Sequence, residues 1–277
     1  MGTHQSAGAQ VGHQRVVAEG AHPDRWVWFL HGFLGRGENW RSFARRLTQR
    51  RPRWGCVLVD LPLHGESRHW QPPYTVPEAA AALRALAGRL GGPQVLAGHS
   101  FGGRVALAAA AAELPVLSRV WVLDAAPATD TPRTGGTTAM VLQALRASTG
   151  PYADRRDFVQ QLESRGVERP VAAWLAKNLE RRDGQLIFGL SLDGLQAMLA
   201  DHDRRDYWGV LEEPPAGVTF DFVLAGRQSV VTAADRLRLE ALAGAGRVRV
   251  HDLPDAGHWV HVDAPQAMLD LLAAALE

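Results

Sequence analysis

The pentapeptide Gly98-His99-Ser100-Phe101-Gly102 stands between a short apolar run and an alanine-rich segment of helical period. A serine flanked by glycines at a strand-to-helix junction is held exposed on a sharp turn, an arrangement suited to a serine nucleophile. The glycines relieve side-chain crowding in the turn, and the free N–H groups at the start of the next helix favour negative charge developing beside Ser100. The Phe101 N–H is therefore a candidate oxyanion donor. The competing interpretation, a glycine-rich nucleotide-binding turn, lacks its G-x-G-x-x-G spacing here.

A serine hydroxyl is a weak nucleophile at neutral pH and needs a base within hydrogen-bond reach. That base is normally histidine, whose unperturbed pKa of about 6.5 leaves it largely neutral at pH 7. Of the eleven histidines, His258 lies in Asp255-Ala256-Gly257-His258-Trp259, after the last apolar run and before the final helical stretch. It projects from the C-terminal edge of a parallel sheet, as Ser100 does. His251, inside the strand pattern, and His261, nearer the last helix, are its rivals, and His258 is preferred. His31 and His99 read as hydrogen-bonding or packing residues of their own tight turns.

The third member is a carboxylate that orients the imidazole and stabilises its protonated form. Asp124 ends the strand that follows the Ser100 helix, on the required sheet edge, and is the chosen acid; its other reading is a cap for the loop behind it. Asp235, Asp252 and Asp255 stand as fallback acids, with Asp235 placed inside a helix. A second oxyanion donor is expected in His31-Gly32-Phe33-Leu34-Gly35, where Gly32 permits the turn that aims the Phe33 N–H inward.

The elements that must position these residues follow from periodicity. Trp26 to Leu30 is a continuous apolar run that predicts a strand, and further strands are predicted at Cys56 to Val59, Val95 to Ala97, Val120 to Leu123, Phe220 to Leu224 and Val248 to Leu253. Between them, Trp40, Phe43, Ala44 and Leu47 recur at helical spacing, and Thr75 with Glu78 three residues on predicts a capped helix running to about Leu90. Further helices are predicted at Gly102 to Ala112, Thr232 to Leu242 and Pro265 to Leu276. The alternation predicts an α/β fold with a mostly parallel sheet flanked by helices. Helical segments at Thr138 to Arg146, Arg156 to Leu162, Val171 to Leu179 and Leu192 to Leu199, without a clear parallel strand, predict an inserted helical lid over 128–213. The core is then 15–127 with 214–277, preceded by a flexible tail, 1–14.

Composition narrows the function classes. Thirty Lys plus Arg against 29 Asp plus Glu leave a net charge of +1, so no long-range field draws the chain to nucleic acid or to an anionic membrane. Cys56 is the single cysteine and sits in an apolar run, where a thiol is a small filler and no intramolecular disulfide can form. The first residues lack the apolar core of a signal peptide, and no run approaches the ~18 apolar residues of a membrane span. A cytoplasmic protein is expected, with a monomer as the default. No metal-ligand spacing such as HExxH or CxxC occurs. No cofactor is expected.

From Trp26 to the C-terminus the chain resembles the α/β-hydrolase superfamily, with Ser100, Asp124 and His258 in that fold's order of nucleophile, acid and base. Leu123-Asp124-Ala125-Ala126-Pro127 and Ala256-Gly257-His258-Trp259-Val260-His261 are similar to segments of the YbfF/ABHD11-type esterases. In many enzymes of this fold the acid follows the strand after the lid, where this chain has Ser229 in Gly226-Arg227-Gln228-Ser229. The resemblance implies an acid at Asp124 instead. It also implies an esterase acting on short acyl chains and thioesters.

His31 to Gly35, Asp60-Leu61-Pro62-Leu63-His64-Gly65 and Gly102-Gly103-Arg104-Val105-Ala106 are also similar to the menaquinone-pathway lyase that eliminates pyruvate, 2-succinyl-6-hydroxy-2,4-cyclohexadiene-1-carboxylate synthase. On that reading Arg104 and Arg227 bind a carboxylated substrate; otherwise they are helix and surface-loop charges. A non-catalytic binding protein of the same fold is a third reading. Retention of Ser100 and His258 argues against it.

The expected activity is hydrolysis of short- to medium-chain acyl esters by a serine carboxylesterase with no metal, nucleotide or flavin, its partner a small-molecule ester. Activity is expected to fall as His258 protonates. Phe158, Trp174, Phe188, Leu195, Met198 and Trp259 are the candidate pocket residues. Core packing of the lid is the competing explanation for the lid residues among them.

Overall fold

Apolar runs too short for helices become strands because a parallel sheet covered on both faces can bury them whole. The computed structural model describes residues 10–129, 137–148 and 150–277. Residues 1–9 of the expected tail and residues 130–136 and 149 of the expected lid lie outside the described residues. In chain order the strands are β1 (His13–Val16), β2 (Arg25–Leu30), β3 (Trp54–Val59), β4 (Val95–His99), β5 (Arg119–Leu123), β6 (Leu179–Arg182), β7 (Gln185–Phe188), β8 (Thr219–Ala225) and β9 (Arg249–Leu253). Seven of the described strands form one sheet in the order β1-β3-β2-β4-β5-β8-β9, in which only β1 runs antiparallel to its neighbour.

The strand β1 is a correction to the expected tail, because it starts inside 1–14 and pairs His13 with Val59. Its sequence, His-Gln-Arg-Val, carries a single apolar residue. Its extended form therefore comes from pairing with β3, which leaves no apolar run to read.

Side chains alternate across β2. Val27 and Phe29 enter a cluster with Phe43 and Leu47 of α1 (Arg41–Arg50) and Leu269 and Leu272 near the C-terminus. Trp28 and Leu30 enter the opposite cluster, with Leu83 of α2 (Val76–Leu90) and Val105 and Leu107 of α3 (Phe101–Ala111). Thr75 caps α2, its hydroxyl accepting from the Glu78 N–H at 3.2 Å, and Gly91 ends the helix at φ 92°, a left-handed conformation suited to glycine. Cys56 is fully buried, and burial pushes its thiol pKa up, as befits an apolar filler.

Between β5 and β8 the described chain carries α4 (Thr137–Ala147), α5 (Arg155–Glu163), α6 (Arg169–Leu175), α7 (Leu192–Asp203) and α8 (Trp208–Glu212), together with the β6-β7 hairpin. The helix expected over Val171 to Leu179 is present as α6 continued by a 3₁₀ turn, Ala176–Asn178, and only Leu179 belongs to β6; the hairpin that follows is an addition to the helices expected there. Asp183 and Gly184, at φ 51° and 82°, turn it. An Asp-Gly pair with both residues left-handed is a strong short-range hairpin signal, and it stands in the sequence. After β8 come α9 (Ala233–Gly244), α10 (Val260–Asp263) and α11 (Pro265–Ala274).

Candidate active site

Strand order reverses between β2 and β4, because the chain first builds outward through β3 and then back through β4, β5, β8 and β9. Loops leaving adjacent strands at such a switch point diverge and open a crevice at their C-terminal ends. The loop after β2 carries Gly32 and Phe33, and the turn after β4 carries Ser100.

The Ser100 turn exists because glycine stands at its flanks. A Cβ on Gly98 would lie 2.1 Å from the Gly102 carbonyl oxygen, and one on Gly102 would lie 2.6 Å from the His31 carbonyl oxygen. Neither position can accept a side chain without moving backbone. The turn holds Ser100 at φ 53° and ψ −117°, a strained conformation for an L-residue of the kind that concentrates at functional sites. Phe101 opens α3, so its N–H has no acceptor within the helix.

The structure brings Ser100, His258 and Asp124 together. His258 Nδ1 donates to Asp124 Oδ2 at 2.7 Å, which leaves Nε2 as an acceptor facing Ser100 Oγ at 3.1 Å. The arrangement can deprotonate the serine during attack on an electrophile. Asp124 is fully buried at the end of β5. Burial by itself would raise its pKa, but hydrogen bonds from His258, Ser229 and the Ala225 N–H outweigh it and hold the carboxyl below its ordinary range. Ser229 Oγ donates to Asp124 Oδ1 at 2.5 Å, and the Val230 N–H reaches Oδ2 at 3.2 Å. The serine at the position searched for an acid is thus tied to the acid itself, a role that the sequence does not reveal.

The rival groups are engaged elsewhere. His251 Nε2 bonds Asp221 at 2.8 Å and its ring stacks on Trp121, while the His261 ring stacks on Trp40. Asp235 closes the N-terminal cap of α9 with Thr232, and Asp252 pairs with Arg236 at 2.7 Å. Asp255 is exposed and uses its carbonyl to accept from Arg227. Arg104 is buried, and its guanidinium donates to the carbonyls of Ala126 and His202 and to Thr129 Oγ1. It ties α3 to the loop after β5 and to α7.

Two further histidines shape the loop that carries Phe33. His31 donates from Nδ1 to the Gly32 carbonyl at 2.8 Å and accepts the Leu61 N–H at 3.0 Å. His64 donates from Nδ1 to the Pro62 carbonyl at 2.8 Å and accepts the Leu34 N–H at 3.1 Å. Each imidazole must be neutral to accept, and burial pushes their pKa values down to about 4 and about 3 respectively. The loops after β2 and β3 are stitched together by these rings, and the Phe33 ring packs edge-on to Phe101.

The candidate pocket residues divide. Phe158 is fully buried between Tyr152 and Phe188, and Leu195 and Met198 are fully buried in the same cluster. Trp174 of α6 and Trp259 beside His258 meet with ring centroids 6.2 Å apart, and Trp259 remains 38% exposed. Among the described residues no three His, Cys, Asp or Glu side chains gather as metal ligands would, and no helix is long and apolar enough to cross a membrane.

A model of the alpha/beta hydrolase family matches residues 29–271. The mouse (Mus musculus) protein named sn-1-specific diacylglycerol lipase ABHD11 is 31% identical over 254 residues, covering 90% of this chain and 80% of its own. The 2-succinyl-6-hydroxy-2,4-cyclohexadiene-1-carboxylate synthase of Klebsiella pneumoniae (strain 342) is 26% identical, covering 91% of this chain and 93% of its own. A marine microorganism esterase of solved structure superposes with a TM-score of 0.81 at 22% identity, covering 96% of this chain and 99% of its own, a likeness of fold.

Proposed function

The chain belongs to the alpha/beta hydrolase family, and from that premise we propose that this hydrolase is a serine carboxylesterase acting on short- to medium-chain acyl esters, thioesters included. The observation that carries the reading is the continuous hydrogen-bonded line from Asp124 through His258 to Ser100 Oγ. Ser100 Oγ attacks the ester carbonyl carbon while His258 Nε2 takes its proton, and Asp124 stabilises the imidazolium that forms. The Phe33 and Phe101 N–H groups face the developing oxyanion. His258 returns the proton to the leaving alcohol or thiol. Water, with His258 again as base, then releases the acid from the acyl-enzyme. The segment 128–213 serves as a lid, and Trp174 with Trp259 forms the apolar wall met by the acyl or alcohol group. The mouse relative's name indicates lipid ester chemistry, which is consistent with that wall.

The lyase reading calls for cationic groups that meet a carboxylated substrate. Arg104 donates inward to carbonyls and Thr129, and Arg227 bonds the Asp255 carbonyl. These contacts favour the esterase. Hydrolysis of p-nitrophenyl acetate, butyrate, octanoate and palmitate by the wild type and by Ser100→Ala tests it. We expect turnover of the shorter esters and a loss of about a thousandfold or more in the variant. Turnover that survives in Ser100→Ala, or none in the wild type, overturns the assignment.

A further inference from the structure

One buried imidazole lies between the loop that carries His258 and the loop that carries Phe33 without belonging to the Asp124, His258 and Ser100 line. His99 is the last residue of β4, is 3% exposed and is peptide-bonded to Ser100. Its Nε2–H donates to the backbone carbonyl of His258 at 2.8 Å, and the two rings lie 4.7 Å apart between centroids. On the other side a Cβ added to Gly32 would meet His99 Nδ1 at 2.9 Å, so the loop that carries Phe33 lies directly against the same ring. His261 closes the contact at 5.0 Å.

We propose that His99 is a positioning residue for the hydrolytic reaction, its Nε2–H holding the His258 backbone so that the base stays within reach of Ser100 Oγ. The inference rests on the esterase reading above. Backbone placement matters because a catalytic group displaced by about 1 Å costs roughly a hundredfold in rate. His258 leaves its loop through a carbonyl that accepts from a different strand, so its position is referred to β4, the strand that also presents the nucleophile. Burial, reinforced by the neighbouring His258 and His261, pushes the His99 pKa well below its ordinary value. It stays neutral beside the imidazolium of the transition state and adds no like charge there.

The alternative is that His99 only fills space. The two roles separate because glutamine places an N–H donor at the reach of Nε2, whereas leucine and methionine keep comparable apolar volume and supply none. His99→Gln, His99→Leu and His99→Met are compared with the wild type by steady-state hydrolysis of p-nitrophenyl butyrate and by the second-order rate of Ser100 modification with a fluorophosphonate. We expect His99→Gln to retain kcat within about threefold, and His99→Leu and His99→Met to lose about 10- to 100-fold in kcat with KM little changed and the modification rate falling in parallel. The proposal is overturned if either apolar variant keeps wild-type kcat, if His99→Gln falls as far as they do, if KM moves in place of kcat, or if neither apolar variant folds. Wild-type protein that neither turns over the ester nor is modified at Ser100 overturns the esterase reading as well. Active wild type with indifferent variants overturns this proposal alone.

Discussion

Asp124 is a buried carboxylate whose lone pairs are met by the Ala225 and Val230 N–H groups, the Ser229 hydroxyl and His258 Nδ1. A buried charge is tolerable only when it is satisfied in this way, and the same bonds fix the direction in which it holds His258. In Asp124→Asn the amide can present an N–H where an acceptor is needed, which favours the wrong imidazole tautomer. A kcat loss of about 10³- to 10⁴-fold is expected, read with p-nitrophenyl butyrate. Ser229→Ala removes one donor and leaves the others, so about a tenfold loss in kcat with unchanged KM is expected. An unaltered Ser229→Ala enzyme would mean that the backbone donors suffice. The sequence shows Ser229 only as a missing acid, because its partner is 105 residues away and the bond exists only where β5 and β8 lie side by side.

The turn between β4 and α3 shows how tightly the element is specified. The backbone of Gly102 and Gly103 passes over Gly98 closely enough that a Cβ there would lie 2.1 Å from oxygen and 2.7 Å from nitrogen. Gly98→Ala must displace the start of α3, and we expect it to lower unfolding stability by about 3 kcal/mol or more, measured as a shift in the urea midpoint. A variant of wild-type stability would show that α3 can move away without cost. The spacing of the glycines is thus a packing requirement as much as a signature. Conversely, β6 and β7 form a hairpin whose Asp183-Gly184 turn is legible in sequence, although the flanking Leu-Glu-Arg-Arg and Gln-Leu-Ile-Phe have no clean alternation.

Across the whole molecule, the histidines that brace the site also couple it to pH. His31 and His64 are 1% and 0% exposed, with pKa values lowered by burial to about 4 and about 3. In the unfolded chain each binds a proton near pH 6.5, so below that pH the unfolded state holds more protons and stability falls as pH falls. Their contribution is complete above about pH 6.5 and is lost progressively down to their folded values, by about 2 kcal/mol for each at pH 5. Urea midpoints measured from pH 7.5 to pH 5 should therefore decline before most carboxylates titrate. A flat profile across that window would show that these rings are accessible to protons in the folded state.

Sequence alone determined the sheet strands except β1, the helices that cover the sheet, and the glycine-flanked turn that carries Ser100, because period, glycine spacing and caps are local properties of the chain. It singled out His258 and Asp124 only as preferences among histidines and carboxylates, since one-dimensional order says which sheet edge a residue leaves and not what it faces. Tertiary structure supplies the geometry that order along the chain lacks: it engages His251 with Asp221 and Asp252 with Arg236, and it places His258 between Ser100 and Asp124. It also sets the hydrogen bonds of Ser229, His64 and His99, which join loops distant along the chain, and the burial of Phe158, Leu195 and Met198 among residues of the same cluster. The physical reason is common to them all. Periodicity records which face of an element is apolar, whereas a hydrogen bond across loops depends on the relative placement of whole elements, which only packing establishes.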